Sequence, residues 1–147
     1  MQMTNQSISF TYFGKVVPQG RPRFNKNGFA YDPVNSRNFK SSVKYQAMAE
    51  YKGKPLSENP LKVELVIYRK VQQSESKKRT ELKQMNCILP TKKPDTDNYY
   101  KSISDALTGV FWQDDNQITD IAIKKRFADS KGERFEIYVT EIDKERD

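Results

Sequence analysis

The segment from Lys93 to Asp120 constrains the fold most strongly, because it predicts one amphipathic helix with a pair of aspartates at each end. The apolar side chains of this helix form one stripe, at Tyr99, Ile103, Ala106, Leu107 and Val110. Asp95 and Asp97 come before the helix, and the doublet Asp114-Asp115 follows it. Four carboxylates around one short helix repel each other, which indicates a bound cation.

The first acidic pair has a local geometry that suits a metal ion. Pro94 biases the residue before it toward an extended backbone. In an extended Asp95-Thr96-Asp97 segment the two carboxylates point to the same side, and a divalent cation between them would remove their repulsion. Asp97 also suits a helix N-cap, which would make part of its role structural.

The absence of histidine limits the chemistry of this site. It excludes zinc sites built from Cys and His, and it excludes Ser-His-Asp triads. Oxygen ligands suit Mg²⁺, with Mn²⁺ as a substitute. The segment DDNQITD lacks the glycine and the terminal glutamate of an EF-hand loop, so a calcium site of that kind is not expected.

Charge is distributed unevenly along the chain, whose net charge is +7. Residues 1–93 hold 18 Lys and Arg against 6 Asp and Glu, whereas residues 94–147 hold 8 against 13. A basic body attracts a polyanion such as nucleic acid, provided that cations bridge it to the acidic part. The alternative is a basic surface that is only solvated and binds no partner. The acidic cluster beside the basic body favours polyanion binding over this alternative.

The segment 16–36 is rich in proline and glycine, which predicts a structured loop rather than a helix or a strand. It interleaves three basic with three aromatic residues, namely Arg21, Arg23, Lys26, Phe24, Phe29 and Tyr31. Arginines near aromatic rings suit phosphates and unstacked bases. The equally weighted alternative is a surface loop whose aromatic side chains pack onto the core.

The remaining patterns predict a small α/β (α+β) protein, a single domain over residues 1–147 with a mixed β-sheet and two main helices. Alternation predicts strands at 8–14, 61–71, 118–127 and 134–142, with the last two joined as a hairpin by a turn at 129–132. The helices are predicted from a Ser36 cap to about Tyr51 and over 98–110. The element order is β-α-β-(arm)-α-β-β, and the final DKERD is expected to fray.

The arm at 72–93 is predicted to be a mobile, partly helical segment with weak spacing through Leu82, Met85 and Ile88/Leu89. Its first basic run, at 77–79, is more typical of a solvated surface than of a binding site. Lys92 and Lys93 flank the carboxylates, so they are predicted to bind phosphates.

Lys101 lies one turn beyond Asp97 on the predicted helix, so its ammonium can reach the same site. It would there stabilise an anionic pentacoordinate transition state or orient an attacking water. A surface ion pair with Asp105 is an equally weighted alternative. Lys101, Asp105, Ser104 and Thr108 are all predicted on the face of the helix opposite the apolar stripe.

The block PDTDN, the lysine at 101 and DALTGVFWQDDNQI together resemble the RusA family of Holliday-junction resolvases. The residues that match the family pattern are Asp95, Asp97, Asn98, Lys101, Asp105, Trp112, Asp114, Asp115 and Gln117. The close similarity covers residues 94–120, and the early PQGRPRF is similar to the family's N-terminal loop. The segment between the helix and the doublet is about one residue shorter in this chain than in the family pattern. Which of Asp114 and Asp115 matches the family's metal ligand is therefore open.

The resemblance implies a homodimeric endonuclease that binds four-way DNA junctions and nicks two opposed strands with Mg²⁺. Carried over by position, Asp95, Asp97 and Asp115 are the metal ligands, and Lys101 is the catalytic lysine. Asn98, Asp105 and Asp114 take supporting roles. The arm at 72–93 is longer than in the family, so DNA contacts there are not carried over, and the basic pattern alone predicts Arg21, Arg23, Lys26, Lys92 and Lys93 as the DNA-binding residues.

Two other functions remain open on the residues alone. One is a branched-DNA-binding module without catalysis, and the other is a nuclease for flaps or other branched DNA. We expect a soluble cytoplasmic protein with no membrane partner and no nucleotide cofactor, because the chain has no long apolar run and a single cysteine, Cys87.

Overall fold

The computed structural model describes residues 6–21 and 23–145. Pro22, which belongs to the proline-rich loop, and the last two residues of the tail expected to fray lie outside the described residues. Within the described ranges the elements are β1 (Ser7–Phe13), β2 (Arg23–Phe24), β3 (Ala30–Tyr31), α1 (Val34–Glu50), β4 (Leu61–Arg69), α2 (Lys77–Gln84), α3 (Thr96–Leu107), a 3₁₀ turn (Asp115–Gln117), β5 (Ile118–Phe127) and β6 (Arg134–Glu141). The predicted α+β class with a mixed sheet is confirmed.

The main sheet has the strand order β1-β6-β4-β5. Its central strand β4 pairs antiparallel with β6 and parallel with β5. The alternating residues of β4, namely Leu61, Val63, Leu65 and Ile67, are fully buried. Parallel neighbours require a crossover connection, and α2 and α3 both lie in the one between β4 and β5. Helix α3 therefore runs back along the sheet, opposite in direction to β4 and β5.

The predicted hairpin of the last two strands is wrong, because β4 lies between β5 and β6. Strands in a sheet are about 4.8 Å apart, so stepping over one strand covers roughly 10 Å, which the connection at 128–133 spans easily. The backbone N–H of Ala128 donates to the carbonyl of Arg69, so the chain crosses the end of β4. The strand order follows from burial. Strand β6 carries the fully buried side chains of Phe135, Ile137 and Val139, so it needs a paired strand on each side, and these are β1 and β4.

Helix α1 packs against α3 over the buried face of the sheet. Its buried residues Phe39, Val43 and Ala47 are those that the helical spacing predicts. The predicted Ser36 cap is wrong, because the N-cap residue is Pro33 and the helix begins at Val34, two residues before Ser36. The Ser36 hydroxyl is instead buried and accepts a hydrogen bond from the backbone N–H of Gly20, at 3.2 Å.

Two other segments differ from their predictions in detail. The loop at 16–36 contains a short antiparallel hairpin, β2–β3, so the prediction that it holds no strand is wrong. The arm at 72–93 is helical only over α2, which ends before Met85 and Leu89. This arm packs onto the sheet, since the Lys83 ammonium lies 4.6 Å from the centre of the Phe127 ring. Within the described part of the chain, no helix is long and apolar enough to cross a membrane.

Candidate active site

The chain reaches the first acidic pair through a loop that is held by two basic side chains. The Lys125 ammonium donates to the carbonyl oxygens of Lys92 and Pro94, each at 3.0 Å. The Arg69 guanidinium donates to the same Lys92 carbonyl, also at 3.0 Å. These contacts fix the backbone just before Asp95 at the carboxyl ends of β4 and β5. Sequence reasoning missed Arg69 and Lys125, because their only signal was a position near the end of an alternating strand.

Asp95 and Asp97 lie at the N-terminus of α3, and both are exposed. The helix begins at Thr96, so Asp95 is the N-cap residue and the prediction that Asp97 caps the helix is wrong. The three residues are also not one extended segment. Within residues 6–21 and 23–145 neither carboxylate accepts a hydrogen bond or forms an ion pair, although the positive end of a helix dipole favours negative charge there. Both carboxylates are therefore free to bind a cation.

Lys101 is exposed one turn beyond Asp97. The alternative ion pair between Lys101 and Asp105 does not form, because Asp105 pairs with Lys40 at 3.2 Å. Ser104, predicted on the solvent face of this helix, is buried, so that prediction is wrong. Across the described ranges Lys101 forms no ion pair, which leaves its ammonium available to a phosphate.

Asp114 has a structural role in the turn before β5. Its side chain caps the 3₁₀ turn by accepting a hydrogen bond from the backbone N–H of Asn116, at 2.9 Å. The Gln117 side-chain oxygen completes the capping box by accepting from the backbone N–H of Asp114, and its amide donates to the carbonyls of Ser57 and Asn59. Asp114 and Gln117 thus fix the doublet to the start of the sheet.

Two hydrogen-bond donors lie within reach of the Asp115 carboxylate. The indole N–H of buried Trp112 and the Thr108 hydroxyl each lie 2.8 Å from its Oδ1 atom. The same hydroxyl lies 2.7 Å from the Ser104 carbonyl, and one hydroxyl proton can serve only one acceptor at a time. Burial, reinforced by the negative charge of Asp115, raises the pKa of Tyr100 to about 12, so this neighbouring phenol stays protonated at neutral pH.

Helix α3 separates the two acidic pairs within one chain. Thr108, which contacts Asp115, lies eleven residues after Asp97, or about 16 Å along the helix axis at 1.5 Å per residue. Oxygen ligands lie about 2.1 Å from Mg²⁺, so two ligands of one ion are at most about 4 Å apart. Within a single chain, Asp115 therefore lies too far from Asp97 for the two carboxylates to bind one ion. Consistently, the described residues contain no group of three acidic or cysteine side chains placed to hold a metal ion.

The proline-rich loop lies against α3. The backbone N–H of Gln19 donates to the carbonyl of Asn98, the residue after Asp97, at 3.0 Å. Arg21, Arg23 and Lys26 are exposed, and so are the aromatic side chains of this loop, Phe24, Phe29 and Tyr31. The alternative in which these rings pack onto the core is thus wrong. The start of this loop therefore lies beside the residue that follows Asp97, and the cations and rings of the loop are exposed.

One protein family and one known protein match most of the chain. The family described as Endodeoxyribonuclease RusA matches residues 14–140, which include the proline-rich loop, α3 and both acidic pairs. YqaN of Bacillus subtilis (strain 168), described as an uncharacterized protein, is 34% identical over 140 residues, which cover 92% of this chain and 96% of that protein.

Proposed function

Because this chain belongs to the RusA endodeoxyribonuclease family, we propose that it is a Mg²⁺-dependent endonuclease that resolves Holliday junctions by paired nicks in DNA recombination and repair. The family is one of divalent-metal-dependent nucleases acting on branched DNA. The observation that carries the proposal is the pair of free carboxylates, Asp95 and Asp97, at the N-terminus of α3 beside an exposed basic loop.

The residues present fit a divalent metal in their chemistry. Asp95 and Asp97 offer hard oxygen donors without competing hydrogen bonds, and they would hold the ion. A bound Mg²⁺, or Mn²⁺ in its place, supplies polarisation of the scissile phosphate and a lower pKa for a bound water. Lys101 lies one turn away with a free ammonium, which would stabilise charge on the phosphate oxygens as it develops.

The exposed cations position the DNA. Arg21, Arg23 and Lys26 in the proline-rich loop bind phosphates on one side of the site, and Lys92 and Lys93 bind them just before Asp95. The Lys92 carbonyl is held by two hydrogen bonds, so this basic dipeptide has a fixed place relative to the carboxylates. Binding through phosphates makes the affinity fall steeply with salt concentration.

A homodimer completes the site. Asp115 is too far from Asp97 in its own chain to share a metal ion, so the third carboxylate comes from a second copy. In a two-fold dimer each copy gives its Asp115 to the other, which produces two equal sites. Two sites related by symmetry suit a four-way junction, where two opposed strands are cut.

The first test is junction cleavage by single-atom variants. Asp95→Asn and Asp97→Asn should each abolish nicking of a synthetic four-way junction in Mg²⁺ while binding survives. Glu50→Gln, which removes one exposed charge at the end of α1, is the matched control and should cut normally. Nicking by either Asn variant at the unmodified rate would show that the assigned metal site is wrong.

The substrates and the products separate the alternatives. Binding without products at every Mg²⁺ and Mn²⁺ concentration would identify a non-catalytic binding module. Faster cutting of flaps or forks than of four-way junctions would identify a nuclease for other branched DNA.

The shared site is tested by mixing two inactive variants, Asp97→Asn and Asp115→Asn. If each site takes Asp115 from the partner, a mixed dimer contains one intact site and nicks one strand. If each site belongs to one chain, the mixed dimer contains none and stays inactive. Recovery of single nicks after subunit exchange supports the shared site, and no recovery refutes it.

A further inference from the structure

The hairpin at residues 23–31, which we call the aromatic hairpin, exposes rings that the rest of the fold does not need. Phe24 and Phe29 are each 69% exposed, and Tyr31 is 41% exposed. The phenylalanines of the core, in contrast, are almost completely buried and contact one another edge to face. Clustered exposed rings are typical of a surface that contacts a partner.

The aromatic hairpin is held in one shape by its own hydrogen bonds. The Asn25 side-chain oxygen accepts from the backbone N–H groups of Asn27 and Phe29, at 2.9 and 3.0 Å. The Asn25 backbone N–H donates to the Phe29 carbonyl, and Gly28 takes the left-handed conformation, with φ +80°, that closes the turn. A pre-formed turn presents its rings with little loss of conformational entropy on binding.

The base of the aromatic hairpin is also tied to the helix that carries the free carboxylates. The Gln19 side chain donates to Asp32, at 3.2 Å, which joins the two ends of the loop. Lys40 then bridges Asp32, at 2.8 Å, to Asp105 on α3, at 3.2 Å. The rings therefore keep a fixed position relative to the candidate active site.

Charge identifies the kind of partner. Residues 15–31 contain Lys15, Arg21, Arg23 and Lys26 and no acidic residue, so two copies of this surface would repel each other. Arg23 lies directly across the hairpin from Tyr31, which places a cation next to a ring. In nucleic acid a phosphate lies next to a base, so the cation can bind the phosphate while the ring stacks on the base. The face of a base is accessible to a ring only where base stacking is interrupted.

We propose that Phe24 and Phe29 stack on bases that are exposed at the branch point, and that this contact gives the protein its preference for branched over linear DNA. The proposal rests on the proposed function only for its substrate, branched DNA. The basic residues bind phosphates in any duplex, whereas the rings gain a contact only at a discontinuity. Selectivity for structure then comes from the aromatic hairpin and not from the carboxylates.

The test places 2-aminopurine, whose fluorescence rises on unstacking, at the branch point of a four-way junction. Protein is titrated in EDTA so that no cutting occurs. The unmodified protein should lower the fluorescence, because a ring that stacks on the exposed base restores its stacking. The double variant Phe24→Ala with Phe29→Ala should lose this decrease and bind the junction at least about 30-fold more weakly, since base–aromatic stacking is worth about 1–3 kcal/mol per base and two rings are removed. Its affinity for linear duplex should stay within about twofold.

Two controls accompany the double variant. Phe24→Trp with Phe29→Trp keeps a stacking surface and should retain the signal. Tyr45→Ala removes a ring that is 77% exposed on α1 and should change nothing. Because all of these side chains are exposed, the folds are expected to be unaffected, which circular dichroism checks.

An unchanged ratio of junction to duplex affinity in the double variant overturns the proposal. A double variant that loses its dimer in sedimentation also overturns it, because the rings would then form a protein interface. Cleavage in Mg²⁺ separates the two proposals. If the unmodified protein cleaves junctions normally and the double variant keeps the same ratio of junction to duplex affinity, only the stacking proposal is refuted. If the double variant has a lower ratio but the unmodified protein does not cleave, only the proposed nuclease function is refuted. A protein that binds no branched DNA refutes both.

Discussion

Lys40 joins the proline-rich loop to α3, and its replacement by methionine tests that connection. Its ammonium lies 2.8 Å from Asp32 and 3.2 Å from Asp105, and its side chain is 16% exposed against 32% and 41% for the two partners. Lys40→Met keeps the length of the side chain and removes both ion pairs. The pairs are partly exposed, so each contributes about 0.5–1 kcal/mol and the variant should lose about 1–2 kcal/mol.

This loss predicts a measurable change in the melting temperature. For a domain of this size, 1 kcal/mol corresponds to a Tm shift of roughly 3–4 °C, so Tm should fall by about 3–8 °C at pH 7. Lys44→Met is the matched control, because Lys44 is an exposed lysine one turn further along α1 and forms no ion pair within the described residues. It should melt within about 1 °C of the unmodified protein.

The difference between the two proteins should depend on pH at both extremes. The hydrogen bond from Lys40 lowers the pKa of Asp32, so this contribution is present above about pH 4 and is lost as the pH falls further, through the folded pKa. Burial acts to lower the pKa of Lys40, but the hydrogen bonds to Asp32 and Asp105 outweigh it and raise that pKa. This contribution is complete below about pH 10 and is lost as the pH rises above that.

Melting curves at pH 3, 5, 7 and 9 check the reasoning. The difference should be constant between pH 5 and 9 and smaller at pH 3. Equal melting of Lys40→Met and the unmodified protein at pH 7 would show that the bridge does not stabilise the fold. A difference that grows toward pH 3 would contradict the assignment of Asp32 as its charged partner.

Two further pairs of variants test the acidic doublet and the proline-rich loop. Asp114→Asn should cut junctions within about threefold of the unmodified rate, because asparagine also caps a helix. Asp115→Asn should lose at least about 100-fold, because it would remove a carboxylate ligand of the metal ion. Both should melt normally, and equal nicking rates would refute the division of roles. Gly20→Ala should lose about 1–2 kcal/mol in urea unfolding, because a Cβ there would lie 3.0 Å from the Pro33 ring. Gly28→Ala has open space but a φ of +80°, so it should lose about 1 kcal/mol through backbone strain alone, and no loss at either glycine would contradict the described loop.

The local elements of this protein were readable from its sequence because each depends on a short-range period. Alternation placed β1, β4, β5 and β6 within two residues of their observed bounds. Helical spacing identified the buried stripe of α3, including Ile103 and Leu107, which are fully buried. The acidic motif and the absence of histidine pointed to an oxygen-ligand metal site, and the match to a family of divalent-metal-dependent nucleases supports that chemistry.

Helix starts and hydrogen-bond partners were less readable, because nearby residues compete for the same role. Ser36 has a side chain suited to capping, but its hydroxyl binds Gly20 across the loop. Asp97 is equally suited to a cap, yet the helix begins one residue before it. Lys40 carried no sequence signal at all, since a lysine on a helix surface has many potential partners and only the fold brings Asp32 and Asp105 to it.

By itself the sequence determined the four main strands and the buried apolar stripes of α1 and α3, and it indicated the chemistry that the acidic residues support. Only the tertiary structure decided that β4 separates β5 from β6 and that α3 keeps Asp97 away from Asp115. A strand has the same alternation whichever neighbour it pairs with, so its pairing depends on which arrangement buries the most apolar surface across the whole chain. The distance between the carboxylates follows from that choice, because a parallel β4–β5 pair requires a crossover, and the length of the helix in that crossover separates the two acidic pairs.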